Sequence, residues 1–167
     1  WKPSIKHQLL GIDFDAPFGI APIGLSGLIW PKASEYLCRS AYDHNVPFCL
    51  SLFSTTDLET VSKICDHRYR WFQYYPQNQK KIDISVLDRV RAAEYQTLVI
   101  TVDVPTTRKV RELRKGLTLP LNTGPELIWD IIKHPRWGLA VLNGGMPEFA
   151  NWIPHLPKGY TKKDVPR

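Results

Sequence analysis

No apolar run in this 167-residue chain approaches the ~20 residues that a membrane-crossing helix needs. The opening residues, WKPSIKHQLL, also lack the long apolar stretch and small-residue cleavage site of a secretory leader. The chain begins at Trp1 rather than Met, so a trimmed start is expected. Cysteine is scarce. Cys38, Cys49 and Cys65 are odd in number and fit neither a CxxC motif nor a zinc-ligand spacing, so no metal site is expected. Cys38 and Cys49 stand in apolar contexts and read as small buried hydrophobes. A reducing, cytoplasmic location is the expectation.

Acidic residues are short as well: 16 Asp and Glu face 22 Lys and Arg, a net charge of +6. Such a balance favours anionic partners. The charge gathers in two places, Arg108–Lys109–Arg111–Arg114–Lys115 and Lys158–Lys162–Lys163–Arg167. For the first cluster a solvated basic face and an anion site stay equally open, because it directly follows a predicted strand. Nucleic-acid binding needs a contiguous basic and aromatic surface. Most aromatics here fall in predicted strands, so no nucleic-acid partner is expected.

What is present is 43% hydrophobic residues, enough for a real core, arranged with alternating periods. PFGIAPI (17–23) reads as an extended apolar strand and LSGLIWP as the loop after it. Residues 32–44 form an amphipathic helix with Ala33, Tyr36, Leu37, Ser40 and Ala41 on one face. VPFCLSL (46–52) is a short buried strand. Ser54 to Asp57 offer caps for a helix over 57–65, in which Leu58, Val61 and Ile64 keep step. The aromatic run at 69–75 is strand-like. A helix is predicted over 83–94 with Ile84, Leu87, Val90 and Arg91 in step, and residues 98–102 read as a fully buried parallel strand.

Repeated strand–helix alternation means parallel strands with crossover helices. Polar residues follow each strand: Gly24 and Ser26, Ser51 and Ser54, Gln73 and Tyr75, Asp103 and Thr106. In parallel α/β folds the site lies at the carboxyl ends of the strands, so these groups should converge. After Asp103 the pattern changes. Residues 119–167 are rich in Pro and Gly, with one short helix candidate at 125–133. About four repeats are visible, where a closed barrel needs eight.

PFGIAPIGLSGLIWP (17–31), VPFCLSLFST (46–55), RWFQYYP (70–76), TLVITVDVP (97–105), RELRKGLTLP (111–120) and HPRW (134–137) resemble, in order, segments of the FMN-dependent 2-hydroxy-acid dehydrogenase/oxidase family. The resemblance runs from about Ser4 to Trp152. It implies an α/β fold, the first half of a (β/α)₈ TIM barrel, with FMN at the carboxyl ends of the strands. It implies residues 1–118 as the N-terminal half of that barrel and 119–167 as the long excursion after the fourth strand. It implies oxidation of a small (S)-2-hydroxy acid, lactate, mandelate or similar, to the 2-oxo acid.

The resemblance also implies roles. Ala21, Pro22 and Ile23 would meet the flavin ring through their backbone, with Ile23 where the family usually has Thr. Ser51, Gln73 and Thr101 would bond the polar edge of the ring, neutral groups that tune it without adding charge. Tyr75 would donate to the substrate, and Asp103 would orient a catalytic His and stabilise its protonated form. Each has a plainer reading: Tyr75 as packing, Gln73 as a partner for backbone groups, Asp103 as a turn cap. Their shared placement favours the functional one.

The family's substrate Arg lies seven residues after the Asp, where this chain has Val110. A one-residue deletion puts Lys109 there, which carries the charge without the bidentate fork. Arg108 or Arg111 are further candidates. Absent are the family's Tyr-bearing N-terminal segment, its fifth-strand Lys, its catalytic His and Arg, and its Gly-rich phosphate loops. His7, His44, His67, His134 and His155 read as structural or surface residues. The C-terminal half is therefore expected from a second chain or a missing segment, and this chain alone should be inactive. A homo-oligomer is also expected. Trp129, Trp137, Trp152, Ile131 and Ile132 beside basic residues suit a peripheral contact at the inner face of the cytoplasmic membrane; packing on the barrel or a neighbouring subunit is equally open. Gly24 leans towards a dehydrogenase, since oxidases of the family tend to have Ala there. A non-catalytic half-barrel that binds an anionic ligand or a protein is the alternative.

Overall fold

The computed structural model describes residues 4–76, 79–102, 129, 132–145, 148–152 and 154. The chain opens on a β-hairpin that the sequence reading missed, β1 (His7–Leu9) and β2 (Ile12–Phe14). Its register pairs His7 with Phe14 and Leu9 with Ile12, leaving Leu10-Gly11 as the turn. Both have positive φ, 50° and 83°, which suits the tight turn that matches strand twist. Such turns usually announce themselves by Asn or Asp before Gly. Leu10 in that place hid the signal.

Three parallel strands form the main sheet in the order β3 (Phe48–Ser51), β4 (Arg70–Tyr74), β5 (Thr97–Ile100). The strand expected over 17–23 is reduced to one parallel bridge, Ile20 with Phe48. Ile20 N–H donates to the Pro47 carbonyl (2.9 Å) and Cys49 N–H to the Ile20 carbonyl (3.0 Å). Pro17 and Pro22 have no N–H to extend that ladder in either direction.

The loop expected after it contains a short helix, α1 (Ser26–Ile29). Gly27 lets α1 approach the loop after β3: a Cβ there would overlap Thr55 Oγ1. Gly27 N–H instead donates to that hydroxyl at 3.1 Å. The crossover helices are α2 (Ala33–Asp43), α3 (Leu58–Ser62) and α4 (Lys80–Ala92), and a 3₁₀ turn (His67–Tyr69) leads into β4. Asp57 caps α3, its carboxylate accepting from Thr60 N–H at 2.6 Å. A later helix, α5 (Pro135–Gly144), has Pro in its first turn, where no N–H is needed. Of the 125–133 candidate, the described residues Trp129, Ile132 and Lys133 are helical.

Side chains alternate across the sheet. Phe48, Leu50, Phe72 and Tyr74 face the helices and form the core with Cys38, Leu58, Val61, Val86 and Val90. Cys49, Ser51, Trp71, Gln73, Val99 and Thr101 share the opposite face by register. Two helix faces differ from expectation. α4 buries Val86 and Val90 with Ile82 and Ala93 packed alongside, while Ile84 and Leu87 are exposed. The i, i+4 stripe nearest the sheet wins over the wider apolar arc. α2 buries Ser34, Cys38 and Ala41 and leaves Tyr36 exposed. The strand expected to be fully buried is also not so: Leu98, Ile100 and Val102 are 40%, 54% and 87% exposed. Among the described residues nothing pairs with the outer edge of β5.

Residues 148–152 return to the start of α3. The Asn151 side chain is fully buried. Its Oδ1 accepts from Leu58 N–H (2.8 Å) and its Nδ2 donates to the Thr56 carbonyl (3.2 Å). Arg89 of α4 forks onto Glu59 (2.7 and 2.8 Å) and donates to the Asn151 carbonyl (3.3 Å). Asn151→Ala strands a buried donor and a buried acceptor, so a loss of about 1–3 kcal/mol is expected from denaturant titration; an unchanged midpoint would count against this anchor. The Arg89 hydrogen bonds hold the Glu59 carboxyl below its ordinary range. A lowered acid stabilises above the unfolded pKa and loses its effect as pH falls through the folded one. The stability gap between the wild type and Glu59→Gln should therefore be full at neutral pH and close on acidification.

Candidate active site

Parallel pairing brings the carboxyl ends of β3, β4 and β5 side by side, and each carries a neutral polar residue at or just past its tip: Ser51, Gln73 and Thr101. Ser51 pairs directly with Gln73 in the ladder. Ser51 Oγ donates to Gln73 Oε1 at 3.0 Å, and Gln73 Nε2 donates to Thr101 Oγ1 at 2.7 Å. The chain of bonds starts at Phe53 N–H, which donates to Ser51 Oγ at 3.2 Å. Ser51 and Gln73 are buried, 4% and 3% exposed, and Thr101 is half-buried. Gln73 thus spans two side chains and is not tied to backbone. Thr101 accepts from Gln73 and keeps its own proton to donate.

Ala21, Pro22 and Ile23 are exposed residues. Ala21, Ile23 and Ser51 also border one packing gap, shared with Ser34, Leu37, Phe48, Cys49 and Leu50 and too tight for a water molecule. Tyr75, directly after β4, is partly buried with its ring on Phe53 at 5.2 Å. Phe53 packs in turn on Phe149 at 5.5 Å. Asp103, Lys109 and Arg111 lie outside the described residues. So Ser51, Gln73 and Thr101 are brought into direct contact, Ala21 and Ile23 border one packing gap with Ser51, and Tyr75 stacks on Phe53, whose N–H bonds Ser51.

The row carries no formal charge. Cys49, on the same face, is pushed up to about 12 by burial and stays a protonated, inert thiol. Among the described residues no group of three His, Cys, Asp or Glu can hold a metal ion. His44 and His67 precede β3 and β4 and therefore sit at the opposite, amino ends of these strands. Chemically, the row suits the edge of a flat, neutral, hydrogen-bonding ring better than an ion.

Sequence reading missed what holds the loops behind the row. Ser34 Oγ bonds Ser26 Oγ (2.8 Å) and Ser54 Oγ (3.0 Å), all three buried. Leu25 N–H donates to the Phe53 carbonyl at 2.9 Å. Ser26 and Ser54 were legible as polar residues after strands. Ser34 gave no signal, since a helical serine is usually a surface residue. Phe149 was equally hidden, lying 96 positions beyond Phe53 by their numbers.

Residues 2–164 match the model of the FMN-dependent dehydrogenase family. The chain is 33% identical over 153 residues to (S)-mandelate dehydrogenase of Pseudomonas putida, an alignment covering 91% of this chain and 38% of that protein. It is 32% identical over 163 residues to L-lactate dehydrogenase of Pectobacterium atrosepticum, covering 96% and 42%. Among solved structures, the monotopic membrane protein (S)-mandelate dehydrogenase superposes with a TM-score of 0.78 at 33% identity, over 89% of this chain and 40% of that one. The chain thus spans about two fifths of the length of these relatives. A mandelate oxidase variant carrying an FMN adduct superposes with a TM-score of 0.58 at 25% identity, over 62% of this chain and 32% of that one. With nearly its whole length matched, and parallel strands that line up neutral hydrogen-bonding groups at their tips, this chain belongs to the FMN-dependent dehydrogenase family.

Proposed function

We propose that this chain is the N-terminal half of a (β/α)₈ barrel that binds the FMN ring in an enzyme oxidising a small (S)-2-hydroxy acid to its 2-oxo acid. The observation that carries the reading is the Ser51–Gln73–Thr101 row. It fits the cofactor on chemistry: the row is neutral, pre-aligned and largely buried, and it ends on a hydroxyl able to donate. The exposed stretch Ala21–Ile23 would offer a second set of contacts through its backbone. When bound, FMN would take up the two electrons that leave the substrate carbon.

The chain's own residues then position and exclude. Packing of Tyr75 on Phe53 limits where its hydroxyl can reach, which suits a donor to the substrate carboxylate. Lys109 or Arg111 would supply the positive charge for that carboxylate. Asp103 would hold the proton-accepting His, contributed by the C-terminal half, in its working orientation. The half-exposed edge and flank of β5, Leu98, Ile100 and Val102, are where the next strand and helix would add. At Gly24 a Cβ would meet Phe53 Cβ at 3.5 Å and Ser51 Oγ at 3.9 Å, ordinary contacts. The loop itself therefore does not require glycine, and its presence leans towards an acceptor other than oxygen. A non-catalytic half-barrel is the less favoured reading, given the family match.

A peripheral membrane contact forms part of the proposal. Leu139 and Leu142 on α5 are 61% and 80% exposed, and Trp129 and Ile132 are also exposed. Lys133 Nζ lies 5.5 Å from the Trp129 ring centre. Apolar residues beside a cation suit a headgroup boundary. No helix among the described residues is long and apolar enough to cross a membrane. Two of the tryptophans expected there are engaged elsewhere: Trp152 is buried, and Trp137 donates its ring N–H to the Leu28 carbonyl at 3.0 Å.

In the protein with its C-terminal half, Gln73→Leu should weaken FMN binding about tenfold, read by flavin fluorescence titration, since it breaks both links of the row. A full-length protein that is colourless and takes up no FMN would overturn the reading. Leu139→Glu with Leu142→Glu should lower co-sedimentation with anionic phospholipid vesicles and leave flavin content unchanged. Equal co-sedimentation would remove the membrane contact.

A further inference from the structure

Cys38 and Cys65 are separated by 27 positions in sequence and meet in the helical layer. Cys38 lies on α2 and Cys65 three residues past α3. Both are free thiols, 0% and 6% exposed. Their sulfurs are 3.1 Å apart, with the Cys38 thiol donating to Cys65. About 1 Å of approach separates them from the ~2.05 Å of a disulfide bond.

A second observation stands beside the pair. Arg70, at the start of β4, is 6% exposed. Its Nη1 donates to the carbonyls of Ala93 (2.6 Å) and Ser62 (3.4 Å), and its Nε, buried, has no hydrogen-bond partner. No carboxylate forms an ion pair with it among the described residues. A buried guanidinium met only by neutral groups favours an anion nearby. The hydrogen bond from Cys38 holds the Cys65 thiol below its ordinary range, aided by Arg70 and Arg39 and opposed by burial and Asp66. The same bond raises Cys38. Cys65, 6% exposed against 0% for Cys38, is the sulfur a small oxidant reaches first, and Cys38 is the resolving thiol.

We propose that Cys38 and Cys65 form a redox-active dithiol that closes reversibly to a disulfide on meeting a hydroperoxide. The Cys65 thiolate attacks one peroxide oxygen, the O–O bond breaks, and the leaving oxygen departs as water after taking a proton. Cys65 is then a sulfenic acid. The Cys38 sulfur attacks the Cys65 sulfur, the S–O bond breaks, and the S–S bond forms. The second oxygen leaves as water with the Cys38 proton. Two thiols have lost two electrons, and hydrogen peroxide has become two waters. Cys65 precedes β4, so the pair lies away from the row at the strand tips.

The test treats the protein, with its C-terminal half, with hydrogen peroxide under folded conditions. It is then quenched with acid, alkylated in denaturant and mapped by peptide mass spectrometry. A Cys38–Cys65 linked peptide should form about tenfold faster than Cys49 loses its thiol, and dithiothreitol should restore all three thiols. In Cys38→Ser, Cys65 should be trapped by dimedone as a sulfenic acid. In Cys65→Ser, Cys38 should stay alkylatable at the same dose. If either variant fails to fold, the wild-type map decides. Equal oxidation of all three cysteines, or Cys65 sulfinic acid with Cys38 still a thiol, overturns the proposal. So does the absence of a linked peptide at doses that leave the protein folded.

Discussion

The register between β3, β4 and β5 governs the rest of the molecule. Because side chains alternate along a strand, a slip of one residue would turn Gln73 towards the helices and bring Tyr74 to the site face. The observed pairing places Ser51, Gln73 and Val99 in one row, with Thr101 one step further along the same face. The hydrogen bonds that join Ser51, Gln73 and Thr101 follow from that alignment and reinforce it. On the other face the same register sends Phe72 and Tyr74 into the core. Core packing and site geometry are therefore set by one choice.

Polar groups buried in this fold are placed to fasten loops. The Ser26–Ser34–Ser54 hydroxyls hold α1, α2 and the loop after β3 together. Asn151 supplies both a donor and an acceptor to backbone groups at the start of α3. Arg89 ties α4 to α3 and to the returning chain. Buried polar groups are costly when unpaired, so satisfied ones define one arrangement of the loops. Such fastened loops suit the flat ring proposed to bind at the strand tips.

The sheet is covered unevenly. Phe72 and Leu50 have no more than 1% exposure, while Ile100 at the tip of β5 is more than half exposed. The strand tips are neutral: Ser51, Gln73 and Thr101 form a row without formal charge. Both features suit a chain that spans about two fifths of the length of its relatives.

The alternation of helices and parallel strands from Ala33 to Ile100, and the polar residues at the strand tips, were determined by the sequence alone, because period, caps and punctuation act over a few neighbouring residues. Asp57 before Leu58, the aromatic run into β4 and the β-branched run of β5 are signals of that kind. The Leu10-Gly11 hairpin escaped because its turn lacks the usual residues, and the strand at 17–23 shrank to one bridge between flanking prolines. Tertiary structure decided which arc of α4 faces the sheet and which tryptophan is buried. It also decided that Gln73 bridges two side chains, and that Asn151 anchors Leu58 from 93 positions away. Contacts of that range depend on how elements stack, and no local pattern in the chain encodes them.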